Sequence, residues 1–286
     1  TTTNGTVVYT NYTKLVLDPA TGRYVAFKDG GINQAVVAQL AAALKSEGVE
    51  FVLNIGDLVT KWIPQIDGKT ADELLTEELA LWAHIWKANS GHLPIYPVRG
   101  NQEWTASKET WLGFTKRMPG IGELRLNGPE GEQGLTYGFH HKNCLFIGID
   151  NYVSPLAAGD VHIITPAAQA WLDQVLAASD RPFKFVFGHV PAFEVWNTKK
   201  TAFTATKDGL ANPATGGKRL PTFTPDAIAM RDAFWNSIGV AGAEYFCGHE
   251  HIYARGVNTV AGRLVRQTVI GNGGAPSSPA YDPLVY

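Results

Sequence analysis

The sequence predicts an α/β fold with a mixed sheet, and three observations carry that prediction. Short apolar runs alternate with longer stretches of helical periodicity along the 286 residues. Several of the apolar runs end in a glycine followed by a polar residue, the layout of strand-end loops. The segment "LTYGFHHKNCLFIGID" carries apolar alternation on two arms around a polar centre, so it reads as a hairpin and the sheet is not purely parallel.

Taken in order, "TVVYT" (6–10) is a strand. After a polar insertion, "INQAVVAQLAAALKSEG" is a helix in which Val36, Leu40 and Leu44 recur at helical spacing and Gly48 supplies the stop. "VEFVLNI" (49–55) is a short buried strand. "TADELLTEELALWAHIW" opens with a capping box, Thr70 with Glu73, and carries a Leu/Trp face. "LPIYPV" leads into a loop at 100–104, and the hairpin follows. "AAQAWLDQVLAA" and "PDAIAMRDAFWNSIG" are helical, "FKFVFG" and "AEYFCG" are strands, and the chain continues through "RLVRQTVIGNGG". The Gly/Pro/Thr-rich stretch 209–225 reads as a surface loop because regular patterns resume on both sides, so a single domain spanning 1–286 is expected.

Composition narrows the function classes. Hydrophobic residues make up 45% and charged residues 17%, with a formal charge of −2. That balance gives no electrostatic reason to expect nucleic acid or an anionic membrane as partner. No apolar run approaches a membrane span. The Thr- and Asn-rich start and modest charge lead to the expectation of a secreted or periplasmic protein; the oligomeric state is left open. Cys144 and Cys247 both lie in apolar runs and read as thiols buried in strands, with a disulfide between them not decided by sequence.

Four loops carry the chemistry. "GD" (Gly56, Asp57), "GN" (Gly100, Asn101), "GH" (Gly188, His189) and "GHEH" (Gly248 to His251) each follow an apolar strand and begin with glycine plus a potential ligand. Sites in open α/β sheets form beyond the carboxyl ends of strands, where such loops can converge. One carboxylate, one amide oxygen and two or three imidazoles suit a borderline divalent ion such as Zn, Mn or Fe better than Ca or Mg. His249 and His251 stand at i and i+2, which on a strand would put both imidazoles on one face.

The order GD … GN-x-E … GH … GHxH resembles the calcineurin-like metallophosphoesterase superfamily. The tail "YFCGHEHIYAR" with "VIGNGGAP" is similar to its purple-acid-phosphatase-like branch. The resemblance implies a four-layer sandwich, two stacked mixed β-sheets flanked by helices, with two metals activating a water for in-line attack on phosphorus. It implies that Asp57 matches the aspartate bridging the two metals. Asn101, His189 and His249 match the other ligands of the second metal, and His251 a ligand of the first. Asn101, Gln102 and His251 then face the reacting group.

Two departures bear on activity. Where that family opens with Asp-x-His, this chain has "TNYT" (10–13), with Asn11 and Thr13 at the two positions. Where the family has "GNHE", this chain has "GNQE", and Gln102 donates a hydrogen bond but transfers no proton at neutral pH. Thr60 stands where the branch places a tyrosine ligand to iron, so an iron–tyrosinate centre is not expected. One bound ion is expected, with two allowed should Asn11, or the Asp160–His162 pair of "GDVH", rebuild the first site. His84, His140 and His141 read as surface or packing residues. Trp62, Trp104 and Trp196 each follow a ligand loop; they read as packing aromatics or as a rim for a ring-bearing substrate.

The expected function is therefore a metal-dependent hydrolase cleaving a phosphate ester at a mononuclear or asymmetric centre. Its partner would be a small-molecule substrate, nucleotide-like or oligosaccharide. The alternatives are a single-metal enzyme acting on a carbohydrate and a non-catalytic, metal-containing binding protein.

Overall fold

The computed structural model describes residues 8–10, 13–17, 24–26, 32–59, 70–120, 126–152, 164–193, 211–212, 218–219, 225–260, 262–271 and 273. These fall into two compact units, the first made mainly of residues up to Pro97 and Asn101–Glu123, the second of Val98–Gly100 and Leu124–Asn272. The architecture is the mixed α/β class expected, with sheets and helices in both units.

The first unit begins with β1 (Val8–Thr10), β2 (Thr13–Leu17) and β3 (Tyr24–Ala26), an antiparallel meander in which Thr10 faces Thr13. Then come α1 (Gln34–Ser46), β4 (Val52–Asn54), α2 (Ala71–Ser90), β5 (Ile95–Pro97), a 3-10 turn at Glu103–Thr105 and α3 (Lys108–Thr115). Strands β4 and β5 pair in parallel. Local chemistry explains the helix ends. Thr70 and Glu73 exchange the reciprocal hydrogen bonds of a capping box at the start of α2. Past Ser46, Val49 N–H reaches Leu44 C=O and Gly48 N–H reaches Lys45 C=O, the Schellman pairing that closes α1. The inward face of α1 differs from the stripe read off its sequence. Ala41 is the buried residue, whereas Leu40 is 41% exposed. Val36 and Leu44 are half-buried as the stripe predicts, so the departure is confined to Leu40. The Leu/Trp face of α2 is buried as expected, with Trp82 stacked on Trp86 and edge-on to Phe114.

The second unit holds β6 (Leu126–Asn127), β7 (Tyr137–His141), β8 (Cys144–Gly148), α4 (Pro166–Ala178), β9 (Phe183–Phe187), β10 (Ala211–Asn212), β11 (Lys218–Arg219), α5 (Pro225–Ala241), β12 (Glu244–Cys247), β13 (Tyr253–Val260) and β14 (Arg263–Ile270). Seven strands form one sheet in the order β13-β14-β12-β9-β8-β7-β6. Its centre, β14-β12-β9-β8, is parallel; β13, β7 and β6 add antiparallel edges, including the β7–β8 hairpin. The core lies between this sheet and two helices. Leu145, Ile147, Val186 and Tyr245 meet Leu172 of α4 and Phe234 and Ile238 of α5. Burying each such side chain stabilises by about 1.5–3 kcal/mol. Alternate residues turn to the opposite face, where Phe139, Phe146, Phe185 and Phe246 form a row of neighbouring rings. Both cysteines are free thiols on strands; Cys247 is buried, while Cys144 is half-buried rather than fully covered.

Candidate functional site

Each of the four glycine-led loops leaves the carboxyl end of a parallel strand. In the first unit the GD loop follows β4 and the GN loop follows β5; in the second the GH loop follows β9 and the GHEH loop follows β12. Parallel neighbours end at the same edge, so each unit brings two of its loops together.

In the first unit the two loops are laced by their own backbone. Asp57 lies at φ +55°, a left-handed conformation uncommon outside glycine. Its N–H donates to Glu103 Oε2 at 2.9 Å, Val59 N–H donates to Glu103 Oε1 at 3.3 Å, and Gln102 N–H donates to Asp57 Oδ1 at 3.0 Å. Glu103 is fully buried, and its carboxylate is held by these charge-assisted bonds. Asp57, Asn101 and Gln102 are half-buried, so they remain accessible. Behind them on α2 sits Glu78. Burial, and then the nearby Glu103 carboxylate, push its carboxyl up to about 8, so it is neutral at pH 7.

In the second unit two buried imidazoles face each other. His189 Nε2 and His249 Nδ1 are 3.1 Å apart, and the residues are 1% and 8% exposed. His249 lies at φ +65°, the counterpart of Asp57. The strand expectation for His249 and His251 is corrected here, because both belong to the loop after Cys247. Glu250 N–H bonds to Gly248 C=O and Ile252 N–H to Glu250 C=O, both at 2.7 Å, so each histidine is the centre of a three-residue turn. Two successive γ-type turns, not strand pleating, set their spacing. The loop is braced by Gly271, where an added Cβ would come within 1.7 Å of the Glu250 carbonyl oxygen, so no side chain fits. Gly188 is constrained less severely: a Cβ there would meet the Tyr245 hydroxyl at 2.7 Å and Asn151 Oδ1 at 2.9 Å. Asn151 Oδ1 accepts the N–H groups of His189 at 2.9 Å and Val190 at 3.1 Å.

The imidazole pair provides the test of metal fit. Two nitrogens bound at 2.0–2.1 Å to one tetrahedral ion stand about 3.3 Å apart, close to the spacing observed. Imidazole nitrogens buried at that distance suit a borderline divalent cation. Cys247 adds no thiolate: burial, followed by Glu250, pushes its thiol well above the usual range. His251 is half-buried beside the pair in sequence.

Glu103 and Asn151 had no assigned role in the sequence reading. Glu103 carried a signal, since it stands inside the "GNQE" run, but a carboxylate that serves backbone N–H groups has no distinctive spacing. Asn151 closes the run "YGFHHKNCLFIGIDN", which itself resembles an element of the metallophosphoesterase superfamily, but a polar pair at the end of a buried strand does not reveal its partner. Trp104, in the 3-10 turn after Gln102, is 39% exposed. His84 and His140 are exposed and His141 half-buried. Asn11, Thr60, Trp62, Asp160, His162, Trp196 and most of 209–225 lie outside the described residues, and Thr13 is placed only as the first residue of β2.

Comparison with known proteins now decides the family. A family model for calcineurin-like phosphoesterases matches residues 30–253. The chain belongs to the calcineurin-like phosphoesterase family. It is a metal-dependent, phosphoesterase-like hydrolase. A search of curated protein sequences finds no match. Among solved structures, the phosphoesterase is similar to a dimetal phosphatase from Danio rerio, with TM-score 0.54 and 15% identity over 91% of this chain and 83% of the other. It is also similar to PhoD, with TM-score 0.56 and 13% identity over 86% of this chain but only 54% of PhoD. At these identities the likeness speaks for the fold alone. Among the described residues no helix is long and apolar enough to cross a membrane.

Proposed function

We propose that this phosphoesterase hydrolyses a small phosphate ester at a single-metal centre formed by Asp57, Asn101, His189 and His249, with His251 at its margin. On this reading both units act as one functional domain. The supporting observation is the buried His189–His249 pair with its nitrogens 3.1 Å apart, in a chain of this family. A bound divalent ion would supply Lewis-acid polarisation of a phosphoryl oxygen and a water of lowered pKa.

The chain's own residues do the rest. His189 and His249 offer neutral nitrogens, Asp57 a carboxylate and Asn101 an amide oxygen. Gln102 sits in the loop whose N–H anchors Asp57, and its side-chain amide donates hydrogen bonds to phosphoryl oxygens as charge grows there. Gln102 has no proton to give a departing alkoxide. The proposed substrates are accordingly esters whose leaving group departs without protonation, such as aryl or other acidic alcohols. Half-exposed Trp104, two residues after Gln102, suits a substrate bearing a flat ring, nucleotide-like or saccharide.

A series of aryl phosphates of graded phenol acidity, assayed with added Mn or Zn, tests this reading. The expected result is metal-dependent turnover that falls steeply as the phenol becomes less acidic. Turnover insensitive to the leaving group would mean that a proton donor operates. No turnover of any phosphomono- or phosphodiester, with hydrolysis of oligosaccharides instead, would favour the carbohydrate alternative.

A further inference from the structure

We infer that Asn151 is a positioning residue for His189: its side-chain oxygen holds the backbone of the GH loop so that the imidazole stays aimed at His249. The inference rests on the metal-centre reading above, and all its residues lie in the second unit.

Four observations combine. First, Asn151 is 1% exposed, and its Oδ1 takes two consecutive backbone N–H groups, those of His189 and Val190. A single acceptor bridging two adjacent amides fixes the orientation of the peptide that carries the ligand, not only its position. Second, the loop is clamped from its far side, where the Tyr245 hydroxyl donates to Val190 C=O at 2.7 Å. Third, Asn151 is itself immobilised by its neighbours. Asp150 accepts from Tyr152 N–H at 2.8 Å and pairs with buried Arg99, whose Nε and Nη2 lie 2.8 and 2.6 Å from Asp150 Oδ2. Fourth, Asn151 Nδ2 is buried and makes no hydrogen bond among the described residues. The side chain is therefore held through its acceptor alone. Groups outside the ligand set that orient ligands typically change metal affinity about 10–100-fold when removed.

That asymmetry between Oδ1 and Nδ2 designs the test. Asn151→Ala removes the acceptor; Asn151→Asp keeps an acceptor of the same shape but exchanges the unpartnered donor for a second oxygen and adds a buried negative charge next to Asp150. Three quantities are measured: Mn and Zn dissociation constants by chelator competition, amide hydrogen exchange at His189 and Val190 in metal-free protein, and melting temperature. The expected result for Asn151→Ala is about a 10–100-fold weaker metal affinity together with faster exchange at both amides. Asn151→Asp is expected to stay within about 10-fold of wild type. Alanine with wild-type affinity, or a melting temperature that falls while affinity and exchange hold, would overturn the inference. Should the alanine variant not fold, Asn151→Ser decides: its shorter hydroxyl does not span both amides, so weaker affinity with faster exchange supports the inference, and wild-type affinity and exchange overturn it. Wild-type protein that binds neither metal would instead contradict the metal-centre reading; the exchange rates would then still report whether Asn151 anchors the loop.

Discussion

The two halves that carry the candidate ligands solve the same problem with different charge. Each unit holds one ligand residue in a left-handed conformation, Asp57 at φ +55° and His249 at φ +65°. Each also has a buried side chain that accepts two backbone N–H groups of a ligand loop. In the first unit that side chain is an ionised carboxylate, Glu103, on Asp57 and Val59. In the second it is a neutral amide, Asn151, on His189 and Val190. The first half thus gathers negative charge, Asp57 with Glu103, and Glu78 stays protonated because it is buried and, second, because Glu103 lies nearby. The second half gathers imidazoles, His189 and His249.

The comparison breaks most visibly at the ligands. Asp57→Ala and His249→Ala are each expected to weaken metal binding by more than about 100-fold, beyond the loss typical of outer groups. Isothermal titration with Zn checks this, and a variant retaining wild-type affinity would remove its half from the centre.

Gln102→His should sharpen the catalytic side. A histidine there supplies the missing proton, so turnover of an alkyl phosphate should rise by about 10²-fold while an activated aryl ester changes little. Equal effects on both esters would show that residue 102 does not serve the leaving group.

The two anchors should differ in strength. Hydrogen bonds to a charged acceptor contribute about 1.5–3 kcal/mol each, against about 0.5–1.5 for neutral ones. Glu103→Ala is therefore expected to destabilise more than Asn151→Ala, read from urea unfolding of the metal-free proteins. The reverse order would mean that the negative charge of the first half costs more than its bonds return.

The first half should also differ from the second in pH dependence. Glu78 has a folded pKa of about 8, raised from the ordinary carboxyl value, so the folded state holds its proton where the unfolded chain releases it. Stability from this group is full below the unfolded value and is lost as pH rises towards 8, by up to about 1.4 kcal/mol per pH unit. Glu78→Gln should flatten that slope, measured by denaturant unfolding at pH 5, 6.5 and 8. An unchanged slope would show that Glu78 is not the titrating group.

Much of this arrangement was legible in the sequence because it depends on local chemistry. The capping box at Thr70 and Glu73, the stop after α1 and the β7–β8 hairpin are decided by residues a few positions apart. The four loops were legible for a similar reason, since a glycine and a ligand after an apolar run mark a strand end. What escaped was decided at long range. Glu103 reaches Asp57 across 46 positions and Asn151 reaches His189 across 38, and neither contact leaves a periodic trace. The turns at His249 and His251 also escaped. An i, i+2 spacing fits a strand as well as two γ-turns, and the choice is made by Gly271, whose backbone packs against Glu250. The exposure of Leu40 on α1 escaped too, because helical spacing alone does not say whether Leu40 or Ala41 faces inward.

The most direct test of the central claim is metal content per chain, measured by elemental mass spectrometry on protein purified without chelators, for wild type, Asp57→Ala and His249→Ala. The account predicts about one tightly held divalent ion per wild-type chain, lost from both variants. A wild type free of metal, or an ion that survives loss of either residue, would contradict it.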